Sequence, residues 1–157
     1  VAYAIRPWRD DDAEALAELC LASIRAIGPH AYTAEQVEAW AARHRGAAMY
    51  RERVAGGAAV FVAVDADDRP VAYALLEADG HLDRLYNHPD HTRQGLAVQL
   101  LMAAEAHARS HGIVRLYTEA SELARPAFER AGYSVMQRRD FEIDGVPIHN
   151  YAMEKRL

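Results

Sequence analysis

The stretch LYNHPDHTRQGLAVQLLMAAEAHARSHG, residues 85 to 112, breaks at Pro89 and becomes amphipathic directly after the single Gly95. A helix start exposes about four unpaired N–H groups and the positive end of a dipole, so anions bind there without a dedicated cation. Gly95 lets the backbone approach a ligand closely, Arg93 adds a guanidinium that can pair with phosphate oxygens, and Ala97 keeps the first turn narrow. The chemistry expected of this turn is phosphate binding. Just upstream stand His81, whose residue type titrates near neutrality, and Asp83, which shares its strand face by the period of two. An unpaired carboxylate within a sheet is costly, so Asp83 is expected to be paired or functional. His107 and His111 at i,i+4, and His88 with His91, have metal-ligand spacing, but neither pair is read as part of a complete ligand set. No metal site is expected.

The elements that must hold these residues follow from periodicity. YAIRPW reads as a first strand, and Asp10 to Asp12 as an N-cap for a helix with Leu16, Leu19, Cys20, Ser23, Ile24 and Ile27 on one face. Thr33 and Gln36 have the spacing of a capping box and open a second helix that turns Val37, Trp40, Ala41 and His44 to one side. A short helix is expected at 47 to 54. AAVFVAVDA, PVAYALLEA and HLDRLYNH then read as an antiparallel meander joined by DADDR and Asp79-Gly80. The helix after Gly95 runs to about Ser110, buries Ala97, Leu100, Leu101, Ala104 and Ala108, and places Glu105 and Arg109 for an i,i+4 pair. IVRLYTE is a fifth strand, parallel to the fourth by a right-handed crossover. RPAFERAG forms a short helix, and a hairpin around Asp144-Gly145 ends the sequence.

Composition bounds the rest. The 157 residues are 51% hydrophobic, enough for one domain (1–157) with a real core. Eighteen basic against 23 acidic residues argue against nucleic-acid binding through a positive field. A single cysteine, Cys20, allows no internal disulfide. No apolar run is long enough to span a bilayer, and the first residues lack the order of a secretory signal. A cytoplasmic protein with no membrane partner is expected.

TRQGLA at 92 to 97, NHP before it, AFERAGY after the fifth strand and the order of elements together resemble the GCN5-related N-acetyltransferase (GNAT) family over essentially the whole chain. Thr92 departs from the family's Gln or Arg at the first motif position. The resemblance implies an α/β (α+β) fold: a mixed, mostly antiparallel sheet of six to seven strands flanked by helices, with strands four and five parallel and splayed around acetyl-CoA. Backbone groups of Leu85, Tyr86 and Asn87 would meet the pantetheine amides, the amides of Gln94, Gly95, Leu96 and Ala97 would cradle the pyrophosphate beside Arg93, and Ser121 stands where many relatives have a pantetheine-binding Asn.

The implied activity is direct acetyl transfer to a primary amine of a small molecule or peptide, which needs a proton acceptor for the ammonium and a donor for the departing thiolate. His81 aligns with the catalytic Glu of the histone-acetylating branch, and Asp83 is the other candidate acceptor. The family's usual tyrosine acid is replaced by Phe128, at the cofactor site, which leaves Tyr86, Tyr117, Tyr151 or a water to protonate the thiolate. The same replacement favours an alternative, a non-catalytic acyl-CoA-binding module. PHAYTAEQVEAW, with Tyr32 and Trp40, lies where the family builds its acceptor wall, and a homodimer is expected by family analogy alone.

Overall fold

AVFVAV and PVAYALL lack the clean alternation of a solvated strand because the sheet they form is covered on both faces. The computed structural model describes residues 2–44 and 46–157. Strands β1 (Ala4–Pro7), β2 (Ala59–Val64), β3 (Pro70–Leu76) and β4 (Leu82–Asn87) form an antiparallel sheet in that order. In β3, Tyr73 and Leu75 pack with Leu16, Cys20 and Ile24 of helix α1 (Ala13–Ile27). Ala72 and Ala74 point the other way, against Leu96 and Leu100 of α4 (Leu96–Ser110). This is the period of two read on both faces at once.

Helices α2 (Ala34–Ala42) and α3 (Ala48–Ala55) lie between α1 and β2 in the chain. The capping box opening α2 is complete: Gln36 N–H donates to Thr33 Oγ1 at 3.1 Å, and Thr33 N–H donates to Gln36 Oε1 at 2.9 Å. The start of α1 differs from expectation. Asp10–Asp12 form a 3-10 turn, and Asp12, 4% exposed, does not cap the helix. Its carboxylate instead accepts Arg9 N–H and two bonds from Arg6, each at 2.8 Å, because a buried carboxylate is held best by a guanidinium fork. In α4 the buried residue of the first turn is Leu96, and Ala97 is half-buried.

After α4 come β5 (Arg115–Ala120), α5 (Arg125–Arg130), β6 (Ser134–Ile143) and β7 (Val146–Arg156). These strands form a second antiparallel sheet in the order β5-β7-β6. The expected single mixed sheet is thus seven strands divided into two. The fourth and fifth strands touch through one parallel bridge, His81 with Tyr117, where Tyr117 N–H donates to Gly80 O at 3.1 Å. A Cβ on Gly80 (φ +101°) would stand 2.2 Å from Arg115 O, so only glycine permits that approach. One step further, the Thr118 hydroxyl donates to Leu82 O at 2.7 Å, and a side chain stands where a ladder bond would otherwise form. No helix among the described residues is long and apolar enough to cross a membrane.

Candidate active site

β4 is the terminal strand of its sheet, so one of its edges lacks a backbone partner beyond the bridge at His81. Two cavities open along that edge. The smaller, about 140 Å³, is walled by Leu85, Tyr86 and Asn87 of β4, by Ala97 and Leu100 of α4, and by Ser121 after β5. It is mostly apolar, yet Asn87 brings a buried Oδ1 that has no hydrogen-bond partner, while its Nδ2 is held by His91 O at 3.1 Å. The larger cavity, about 480 Å³, has Tyr32, Asp83, Arg84, Phe128 and Arg139 on its walls. Trp40, Leu85, Tyr86, Ser121 and Ala124 belong to both walls. A thioester lying along β4 would therefore face the larger space at Leu85 and Tyr86.

The turn before α4 carries the expected anion-binding residues. Arg93 (φ +60°) and Gly95 (φ +74°) both take the left-handed conformation. No side chain caps the helix, and its first internal bond runs from Gln99 N–H to Gly95 O, so the preceding N–H groups have no helical partner. Arg93, Gln94 and Gly95 are exposed. A Cβ on Gly95 would meet no atom within 4 Å, so the glycine is required by its φ and not by crowding within the fold. The turn is fastened from behind: Tyr3 hydroxyl and His91 Nδ1 are 2.8 Å apart, and Thr92 reaches Pro89 O at 3.4 Å.

The candidate proton-transfer residues separate sharply by position. His81 lines neither cavity. Its two nitrogens lie 2.7 Å from Glu77 and 2.8 Å from Glu119, and its ring stacks on Tyr117 at 4.7 Å. The Glu119 carboxylate above all, with Glu77 adding and burial opposing, raises its pKa from 6.5 to about 9. A protonated imidazole has no lone pair left to accept a proton. Glu77, His81 and Asp83 have donor atoms within 4.8 Å of one another, a spacing a metal could use. Arg53 already bridges that group, at 3.1 Å from Glu77 and 2.7 Å from Asp83. Tyr117 donates its hydroxyl to Asp79 and lines neither cavity. Tyr151 packs beneath the Arg125 guanidinium, 4.6 Å from its ring centre, and also lines neither.

Asp83 does face the larger cavity, and Tyr86 faces both. The Tyr86 hydroxyl stands 2.9 Å from His44 Nε2, and His44 Nδ1 stands 3.0 Å from Trp40 O. A carbonyl only accepts, so Nδ1 carries the proton and Nε2 accepts from Tyr86. Burial, then the charge of Arg84, lowers the His44 pKa to about 4, so the ring is neutral at pH 7. Burial also holds the Tyr86 phenol well above its ordinary value of 10. Ser121 is committed in part: its Oγ accepts Ala124 N–H at 3.1 Å, which leaves the hydroxyl proton free. Phe128 is 2% exposed and presents only a ring edge-on to Tyr133.

His44, Arg84 and Arg139 were not singled out by sequence reasoning. His44 follows Trp40 by four residues, so its place on the buried side of α2 was legible, but its bond to Tyr86, 42 positions away, was not. Arg84 offered a signal, a guanidinium inside a strand next to Asp83. Arg139 offered none.

The chain matches the family model for the acetyltransferase (GNAT) domain over residues 29–155. It belongs to that family of N-acetyltransferases. Among solved structures it is similar to a protein from Rhodopseudomonas palustris described as "GCN5-Related N-acetyltransferase: Aminotransferase, Class-II", at 32% identity and a TM-score of 0.89, covering 100% of this chain and 97% of that one. The PaiA N-acetyltransferase of Thermoplasma acidophilum, solved in complex with coenzyme A, has the same fold at 20% identity and a TM-score of 0.79, with 100% of both chains covered. The uncharacterized N-acetyltransferase YafP of Escherichia coli (strain K12) is 26% identical over 149 residues, 95% of this chain and 93% of the relative.

Proposed function

We propose that the protein transfers the acetyl group of acetyl-CoA directly to a primary amine, with Tyr86 and Asp83 moving the protons. The observation that carries this reading is the wall common to the two cavities: one is narrow and follows the free edge of β4, the other is wide and polar, and they meet at Leu85 and Tyr86. The pyrophosphate of the donor sits on the N–H groups of Gln94, Gly95, Leu96 and Ala97, with Arg93 beside them. The pantetheine arm follows Leu85 to Asn87, where Asn87 Oδ1 is an acceptor without a partner, and the Ser121 hydroxyl can donate one bond to it. That the PaiA relative was solved with coenzyme A supports the choice of donor.

An ammonium has no lone pair, so the acceptor must lose a proton before it attacks. Asp83 and Glu119 are the carboxylates on the wall of the larger cavity. Glu119 is bonded to His81 and Asp83 to Arg53, each through one oxygen; Asp83, which lies on β4 three residues from Tyr86, is assigned as the proton acceptor. The amine nitrogen bonds to the thioester carbon, the C–S bond breaks, and the Tyr86 hydroxyl turns from His44 to protonate the thiolate; the second proton that the nitrogen loses on becoming an amide reloads the Tyr86 phenolate, and Asp83 passes the first to water. Phenol at this position stays protonated throughout the neutral range, so the donor is always loaded. Asp83→Asn and Tyr86→Phe are expected to lower kcat by roughly 10²- to 10⁴-fold while acetyl-CoA affinity, measured by titration calorimetry, changes little. Full activity in both variants would remove the assignment of these roles.

A further inference from the structure

We propose that the acceptor is a primary amine that also carries a carboxylate, and that Arg139 and Arg84 on the wall of the larger cavity hold that carboxylate. The proposal rests on the acetyl-transfer reading of the same site and deepens it. Four guanidiniums, those of Arg43, Arg53, Arg84 and Arg139, face this cavity against two carboxylates, Asp83 and Glu119. Arg53 takes Asp83 at 2.7 Å, Glu119 is taken by His81 at 2.8 Å, and Arg43 lies 3.9 Å from Asp144. Arg84 has only the Asp83 oxygen that Arg53 already holds, at 3.8 Å, and Arg139 pairs with no carboxylate among the described residues.

Arg139 has no carboxylate within 4.0 Å among the described residues. Its Nη1 donates to Asn150 Oδ1 at 2.9 Å, and its guanidinium lies over the Phe141 ring at 5.2 Å. The plane is thus fixed from two sides while Nε and Nη2 keep their donors, the fork geometry that matches the two oxygens of a carboxylate. Arg84 is only 11% exposed, and its nearest carboxylate oxygen, Asp83 Oδ2, is 3.8 Å away and already bonded to Arg53. Its other polar neighbours are neutral: Tyr50 hydroxyl at 3.5 Å and Cys20 Sγ at 3.8 Å. A charge so far removed from water is ordinarily matched by a close counter-ion. Here the missing partner is supplied by the acceptor.

The same charges exclude as well as attract. A diamine would bring its second ammonium against Arg84 and Arg139, and like charges in a partly dry cavity repel strongly. Aromatic and apolar wall, from Tyr32, Trp40, Phe128 and Phe141, remains for the rest of the acceptor. An α-amino acid with an apolar or aromatic side chain has all the required parts: an amine for the wall shared at Tyr86, a carboxylate for the guanidiniums and a side chain for that surface.

Titration calorimetry on protein saturated with coenzyme A tests this without relying on turnover. The probes are matched pairs that differ only by the carboxylate: phenylalanine with phenethylamine, and leucine with isopentylamine. At least one acid should bind roughly ten-fold or more tightly than its decarboxylated partner, the loss expected for one charge-assisted contact. Arg139→Gln should abolish that difference, and Arg84→Gln should reduce it, with coenzyme A affinity serving as the control for folding. Arg139→Lys, which keeps charge without the planar fork, should recover part of it. Equal or tighter binding of the decarboxylated amines, or no binding of either acid, overturns the proposal. Thiol release measured on the same pairs reports separately on acetyl transfer: acid binding without release would contradict the transferase reading and leave the carboxylate site standing.

Discussion

His81 illustrates how neighbours change the chemistry of a residue of the right type: it is bonded to Glu77 and Glu119 and lines neither cavity. Its pKa is raised in the folded state, from 6.5 to about 9, so the stabilisation it adds is fully present below pH 6.5 and is lost as pH rises through 9. Urea unfolding of the wild type and His81→Gln at pH 6 and pH 10 should therefore show the gap in midpoints shrinking at the higher pH; a gap that stays constant would mean the ring is not held protonated between Glu77 and Glu119. The opening turn makes a second prediction. Arg93→Ala should weaken acetyl-CoA binding by about 1.5 to 3 kcal/mol, roughly 10- to 150-fold, and leave the fold unchanged, since Arg93 is exposed. Gly95→Val should do more, because a branched residue at φ +74° is strained by about 1 to 2 kcal/mol and would rotate the N–H groups away. Unchanged affinity in both, read by calorimetry, would reduce the turn to a helix start. The helix start after Gly95 was legible in the sequence because its signals, a single glycine and the apolar period that follows it, are local. The pairing of His44 with Tyr86 and the isolation of Arg139 were not, since each depends on which distant side chains arrive and which do not.

At the scale of elements, α2 is the support for Trp40 and His44, and its capping box is a local signal that held in three dimensions. Thr33→Ala should cost about 1 kcal/mol of stability, seen as a lower urea midpoint with an unchanged slope. It should also weaken the hold on Tyr86, because His44 leaves the end of the same helix. Where the sequence misled, burial was the cause. Asp12 has the type and position of a cap, but the core draws its carboxylate inward to Arg6 and the helix starts without it. The paired strands and their turns were legible from β-rich runs separated by Asp-Gly and Asp-rich loops, down to the closing hairpin, whose Asp144 (φ +49°) and Gly145 (φ +83°) take the mirror-image turn that such a pair favours.

Across the whole molecule, the division of seven strands into two sheets opens the edge along which both cavities lie. A continuous sheet would have spent the edge of β4 on hydrogen bonds to β5; after the bridge at His81 and Tyr117 and the Thr118 hydroxyl in place of a ladder bond, that edge has no backbone partner. Strand order alone could not reveal this, because the switch depends on Gly80 meeting Arg115 and on one threonine side chain. The geometry also bears on the route of the acetyl group. Cys20, the one cysteine, is 1% exposed and burial raises its thiol pKa, so it is no nucleophile for a covalent intermediate. The most direct measurement is therefore to follow acetyl-CoA labelled in its acetyl group with a panel of primary amines that includes amino acids. The account predicts that free coenzyme A thiol appears in step with label on the amine nitrogen and that none is found on the protein; acetyl-CoA bound without any thiol release, or label lodged on a protein side chain as an intermediate, would contradict it.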